Sequence, residues 1–214
     1  MPRPVEAIID LQALRNNVAV AKRHAGNAKV FAVVKANGYG HGLDRILPAL
    51  GAVDGFAVVE LDLALCIRGC EITKPVLLLE GFFDEKELIS ASKHGLYSVV
   101  HEAAQIDMLL AARLPQPLSV YVKINTGMNR LGFVPDRVAE LHARLTSSKN
   151  VREVVVMTHF ADADGERGVD WQLGPLMQLV DSLGTKICAA NSAALLRYPQ
   201  SHGDWVRPGI MLYG

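Results

Sequence analysis

The feature that most limits what this chain can fold into is a recurrent series of short, unbroken apolar runs. Val30–Val34, Phe56–Val59, Val76–Leu79 and Val154–Met157 are continuous rather than alternating, the pattern of strands buried on both faces of a helix-covered parallel sheet. Tyr97–Val100, Val120–Ile124, Lys186–Ala189 and Trp205–Val206 continue the series at lower contrast, for eight expected strands. The intervals carry helical spacing. Leu14, Val18, Ala21 and Ala25 repeat at three and four behind a candidate N-cap, Asp10. Ala103, Ile106, Leu110 and Arg113 make a second row, and Val138, Leu141 and Leu145 a third. A fourth row, Leu173, Leu176, Val180 and Leu183, contains Pro175, which belongs in a first helical turn.

Alternating strands and helices joined by right-handed crossovers close into a (β/α)8, or TIM, barrel; a doubly wound sheet is the competing arrangement. No linker, low-complexity tract or repeat divides residues 1–214, so they read as one α/β barrel domain. Nothing helical follows Trp205–Val206 before Gly214, and the barrel is expected to be cut short at its last helix. The 22 basic and 22 acidic side chains cancel, which argues against a nucleic-acid or membrane-surface binder held by net charge. Three cysteines, Cys66, Cys70 and Cys188, are too few for a disulfide framework and suggest a reducing compartment, the cytoplasm. No metal is expected, because Cys66 and Cys70 have no further ligand at metal spacing. No apolar stretch approaches the ~18 residues that span a bilayer.

In such a barrel, chemistry sits at the C-terminal ends of the strands. Lys35 ends the first run, where an ammonium needs a partner or a chemical task. Gly38, Gly40 and Gly42 let backbone approach a ligand closely without matching the dinucleotide fingerprint, and Tyr39 offers a hydroxyl. After the fifth run comes Arg130 in a glycine-flanked loop, its forked donors suited to carboxylate. His159 follows the sixth run. Asn191 and Ser192 follow the seventh, where Ser192 is placed to cap a short helix and present amides to phosphate. Arg207, Gly209 and Ile210 follow the eighth. His24, His94, His101, His142 and His202 are expected away from the strand tops. A lysine at the first strand top, with anion donors at the last two, fits pyridoxal 5′-phosphate. That cofactor needs a lysine for its Schiff base, donors for its phosphate and a group facing its ring nitrogen.

Ala32–Gly42, Asn125–Gly132, Thr158–Phe160, Asn191–Ala193 and Arg207–Ile210 together resemble, in order, the motifs of bacterial alanine racemases. The resemblance implies a pyridoxal-phosphate-dependent isomerase that interconverts L- and D-alanine as a homodimer and supplies D-alanine for cell wall biogenesis. It implies that Lys35 holds the cofactor as a Schiff base and acts as a base on one face of the substrate. Tyr39, Ser192 and the amides of Gly209 and Ile210 would bind phosphate, and Asn191 would line the same wall. Arg207 would donate to the pyridine nitrogen, and His159 would hydrogen-bond Arg207. Arg130 would lie by the cofactor phenolate and the substrate carboxylate. Lys123 matches a lysine that is carbamylated in some members. The family also has a C-terminal β domain, absent here, whose Tyr is the second base; residues 1–10 would be a strand joining that domain's sheet. A chain without it is expected to be weak or inactive alone. Two relatives of the barrel stay open as alternatives, a non-catalytic cofactor-homeostasis protein and a broad-specificity amino-acid racemase. Gly38–Gly42 and Arg207–Ile210 fit the racemases better than the homeostasis proteins.

Overall fold

A computed structural model describes residue 4 and residues 6–214. Eight parallel strands close into a barrel in sequence order: β1 (Lys29–Val33), β2 (Gly55–Val58), β3 (Val76–Leu78), β4 (Tyr97–Val100), β5 (Leu118–Lys123), β6 (Val151–Met157), β7 (Lys186–Cys188) and β8 (Trp205–Val206). β8 returns to β1 through Lys29–Trp205 and Val30–Val206. Every expected strand is present; β5 and β6 start two and three residues before their apolar runs. The runs are unbroken because both faces are covered. Val30, Ala32 and Val34 pack under the helices, while Phe31 and Val33 fill the barrel with Ala57, Leu77, Val99, Tyr121 and Val155.

The helical elements are α1 (Leu11–Ala25), α2 (Lys35–Tyr39), α3 (Leu43–Ile46), α4 (Leu61–Gly69), α5 (Glu85–Lys93), α6 (Ala103–Ala111), α7 (Val138–Thr146), α8 (Asp170–Leu183) and α9 (Ser192–Arg197). Asp10 caps α1, accepting from the amides of Gln12 and Ala13 at 2.8 and 3.0 Å, and the expected Leu14, Val18, Ala21 and Ala25 are its buried face. This helix settles how the barrel wall is completed after β8. It precedes β1 but packs on β1, α9 and the turn at 210–212, with Asn17 Nδ2 donating to Leu212 O at 3.1 Å. The seam expected to need a helix after β8 is thus covered from the other end of the chain. Of the expected opening strand, residues 1–3 and 5 lie outside the described residues, and residues 6–10 form no strand.

Two helix expectations need correction. The buried face of α6 is Gln105, Ile106 and Leu109, not the row from Ala103 to Arg113. Gln105 turns inward because its amide has polar work to do: it accepts from His101 N at 2.8 Å and donates to Glu80 O and Phe82 O. Pro175 lies in the second turn of α8, since that helix already begins at Asp170. Its first turn is secured by the amides of Gln172 and Leu173, which donate to Val169 O at 3.0 and 2.9 Å.

Aromatic rings fill the lower barrel. Phe31 stacks on Trp205 with centroids 3.9 Å apart and meets Tyr121 edge-on at 6.1 Å. A Cβ on Gly55 would lie 2.7 Å from the Phe31 ring, so the absent side chain makes room for it. The Tyr121 hydroxyl is buried there with no hydrogen-bond partner among the described residues, and burial pushes its pKa far up. Tyr121→Phe removes an unpaired polar atom and keeps the ring, and is expected to raise stability by about 1 kcal/mol. Chemical denaturation of the two proteins checks this; a loss of 1 kcal/mol would show that the hydroxyl is bonded after all.

Candidate active site

The strand tops surround one cavity of about 340 Å³, lined among others by Lys35, Tyr39, Lys123, Arg130, His159 and Arg207. Asn191, Ser192, Gly209 and Ile210 line it as well, so these ten candidate residues share one space, while Gly38, Gly40 and Gly42 do not line it.

Lys35 leaves β1 into a left-handed turn. Ala36, Asn37, Gly38 and Tyr39 all have positive φ, between 50° and 64°, a conformation that costs a non-glycine residue roughly 1–2 kcal/mol. Local bonds hold it: Gly38 N donates to Val34 O at 2.9 Å, and Leu43 N donates to Asn37 Oδ1 at 2.7 Å. The tight turn brings the Tyr39 ring back over the lysine, with Lys35 Nζ 5.8 Å from the ring centroid. Tyr39 also stacks on Tyr213 at 4.7 Å, and the Tyr213 hydroxyl donates to Val33 O at 2.9 Å.

The opposite rim is built for an anion. The residue capping α9 is Asn191, whose Oδ1 accepts from Ala194 N at 3.0 Å, and not Ser192, the first helical residue. Freed from capping, the Ser192 Oγ turns to the loop after β8 and accepts from Gly209 N at 2.9 Å and Met211 N at 3.3 Å. A Cβ on Gly209 would lie 2.3 Å from the Tyr39 hydroxyl. The bare backbone therefore lets Tyr39, Ser192 and the Gly209–Ile210 turn form one cradle. Its Gly209 amide, expected to face phosphate, is taken by Ser192 Oγ, and the hydroxyls and the Ile210 amide are the donors left for an anion.

Arg207 is 4% exposed. Its Nη1 donates to Cys188 O at 2.7 Å and Cys188 Sγ at 3.1 Å, and its Nη2 donates to Thr158 O at 2.7 Å and Ala189 O at 3.2 Å. Guanidinium has five N–H donors, and among the described residues these bonds leave Nε–H for a ligand. The expected hydrogen bond between His159 and Arg207 is not formed among the described residues, because the carbonyls at the ends of β6 and β7 take the terminal donors of Arg207. His159 still feels that charge. Burial first, and then Arg207, Arg130, Lys123 and Lys35, push its pKa down to about 3, so its imidazole is neutral at any working pH.

Lys123 ends β5 and is 7% exposed. Burial, Arg207 and Arg130 lower its pKa to about 8, with Glu80 opposing them. Below about pH 8 the ammonium is charged in the folded and unfolded chain alike, and the cost of burying it is fully present. Between 8 and 10.5 the unfolded chain binds more protons at this site. Stability owed to Lys123 therefore rises with pH, by at most ~1.36 kcal/mol per unit. Lys123→Met removes that dependence. Denaturant midpoints measured in CO2-free buffer should show the variant gaining most over the parent below pH 8 and the gap closing above it; a gap constant with pH would contradict the shift.

Some residues that shape the site gave no usable signal in the sequence. Glu80 and Asp164 line the cavity as its acidic members, and Cys188 joins Thr158, already part of a motif, in holding Arg207. His101, expected away from the strand tops, directly follows β4, and its Nε2 is buried without a partner. The short loop between β4 and α6 allows it no other place.

The family profile described as "Alanine racemase, N-terminal domain" matches residues 9–214. A curated alanine racemase of Paraburkholderia phytofirmans is 45% identical over all 214 residues. A catabolic alanine racemase of Salmonella typhimurium is 44% identical over the same span. The chain covers 60% of the length of each of these relatives. Among solved structures, the biosynthetic alanine racemase of Pseudomonas aeruginosa superposes with a TM-score of 0.92 at 44% identity, over 96% of this chain and 58% of that one. The alanine racemase of Acinetobacter baumannii gives 0.90 at 38% identity, over 96% and 59%.

Proposed function

Because this chain belongs to the alanine racemase N-terminal domain family, we propose that its cavity binds pyridoxal 5′-phosphate through Lys35 and serves the interconversion of L- and D-alanine. The observation that carries the reading is the convergence of Lys35, Arg207 and the Tyr39–Ser192–Gly209 cradle on one cavity. The cradle supplies neutral hydroxyl and amide donors for a phosphate, and Lys35, Lys123, Arg130 and Arg207 give the cavity a cationic balance that welcomes a phosphate and a carboxylate. Bound there, the cofactor supplies the electron withdrawal that makes an amino acid's α-hydrogen removable.

The chain's own residues divide the rest of the work. Lys35 would provide the amine that holds the cofactor and, with substrate bound, would serve as the base for the α-proton on one face. Arg207 would offer Nε–H, the donor its other bonds leave open, to the cofactor's ring nitrogen, and because a guanidinium does not give up its proton, it would leave the electron withdrawal modest. Proton removal and return are then tightly coupled, which suppresses side reactions. Arg130 receives the substrate carboxylate. His159, held neutral, donates or accepts a hydrogen bond without adding another charge, and Asn191 closes the wall beside it. Lys123 extends the reading: carbamylation needs a neutral amine, its lowered pKa provides one, and the resulting anion would face Arg130.

The opposite proton acceptor, the homodimer, cytoplasmic supply of D-alanine to the cell wall and the second domain are proposed on the family alone. Among the described residues, no helix is long and apolar enough to cross a membrane. The test is exchange of the alanine α-hydrogen in deuterated water with cofactor present. One lysine base on one face predicts exchange from one alanine enantiomer ahead of the other. A protein that takes up the cofactor but exchanges neither enantiomer would be a carrier rather than a catalyst.

A further inference from the structure

The loop that carries Arg130 and the segment that carries His159 are tied together by one side chain outside the cavity, Gln172. It sits in the first turn of α8 and is completely buried. Its Oε1 accepts from Ala161 N at 2.7 Å, and its Nε2 donates to His159 O and to Thr126 Oγ1, each at 3.1 Å. The two backbone partners fix which way the amide points, since a carbonyl cannot accept from the oxygen end. The network continues in one direction: Thr158 Oγ1 donates to Ile124 O at 2.9 Å, so its bond to Thr126 Oγ1 at 2.8 Å is donated by Thr126. The Thr158 carbonyl in turn accepts from Arg207 at 2.7 Å.

A second contact from the same turn of α8 grips the same loop. Trp171 lies against Gly127 so closely that a Cβ there would be 2.1 Å from the indole, and Arg167 stacks on the indole's outer face at 3.5 Å. Arg130 itself is exposed; its loop is held at Thr126 and Gly127, a few residues upstream. We propose that Gln172, acting through Thr126, is a positioning residue: it holds the Arg130 loop, His159 and the carbonyl that orients Arg207 in one fixed arrangement. This rests on the racemase reading for its catalytic consequence but not for the clamp itself.

Two measurements separate those levels. Amide hydrogen exchange on the parent, Thr126→Val, Thr126→Ser and Gln172→Leu reads the clamp without any reaction. Residues 125–132 and the Ala161 amide are expected to exchange about tenfold faster in Gln172→Leu, the loop alone in Thr126→Val, and neither in Thr126→Ser. Alanine turnover by the cofactor-loaded protein, read as α-hydrogen exchange in deuterated water, then reads the positioning. kcat/KM falls about tenfold to hundredfold in Thr126→Val and Gln172→Leu, as a displacement near 1 Å would cause. The double variant loses no more than the worse single one, because both cut the same link, and cofactor attachment to Lys35 is unchanged. Should Gln172→Leu fail to fold, Thr126→Val and Thr126→Ser decide alone. Unchanged exchange in Thr126→Val overturns the clamp. A freed loop with parental kcat/KM, or losses that multiply in the double variant, overturns the positioning role. A parent whose amides exchange as described but which exchanges the α-hydrogen of neither alanine enantiomer leaves the clamp standing and sinks the racemase reading instead.

Discussion

Lys35→Ala is expected to leave the barrel folded and to lower alanine turnover, read as α-hydrogen exchange, by about 10³-fold or more. A positioned acid–base group contributes about 10²–10⁴ in rate, and the lysine also provides the covalent hold on the cofactor. The fold should not suffer. Lys35 is half-buried, sits beside a ring rather than a carboxylate, and shares its cavity with the cations Lys123, Arg130 and Arg207. Removing one cation from that group relieves repulsion, so the thermal midpoint should match or slightly exceed the parent's. It should also raise the pKa values of Lys123 and His159, both of which Lys35 depresses. Turnover and thermal unfolding of the two proteins side by side check the pair of outcomes. Parental turnover would remove Lys35 from the chemistry, and a collapse in stability would make it a structural residue.

Arg207→Ala has the largest expected effect on the fold. The guanidinium donates to the carbonyls of Thr158, Cys188 and Ala189 and to the Cys188 thiol, all buried. Hydrogen bonds from a charged donor contribute about 1.5–3 kcal/mol each, but burying the guanidinium offsets part of that sum. A net loss of about 3–5 kcal/mol follows, read from the denaturant midpoint. Arg207→Met separates the causes, since it restores volume without donors. If unpaired carbonyls are what costs, methionine recovers little; recovery to parental stability would show that Arg207 matters as filler.

Much of the fold could be read directly because it repeats at short range. Continuous apolar runs marked four strands and weaker runs the other four, and the rows at Leu14–Ala25 and Val138–Leu145 placed two helix faces correctly. The site was legible for a related reason: strand tops are fixed once the strands are, and Lys35, His159, Ser192 and Arg207 follow strand ends within four residues, with Arg130 seven after β5. What could not be read was contact between distant segments through polar atoms. Gln105 and Gln172 leave no apolar periodicity, and each bonds to backbone that sequence cannot locate. The same holds for α1, whose row shows that it is buried but not that it covers the seam between β8 and β1. Arg207 was found as a cation, yet its preference for strand-end carbonyls over His159 depends on where Thr158 and Cys188 end. The lowered pKa values of Lys123 and His159 likewise arise from burial first and then from cations meeting in one cavity, although these residues lie far apart in the chain.

The account turns on which amine takes the cofactor. The protein is mixed with pyridoxal 5′-phosphate, reduced with borohydride and digested, and the modified lysine is mapped by mass spectrometry. The label is expected on Lys35, with Lys123 unmodified despite its lowered pKa, because only Lys35 adjoins the Tyr39–Ser192–Gly209 cradle. A label on Lys123 or on a surface lysine, with Lys35 recovered free, would contradict it.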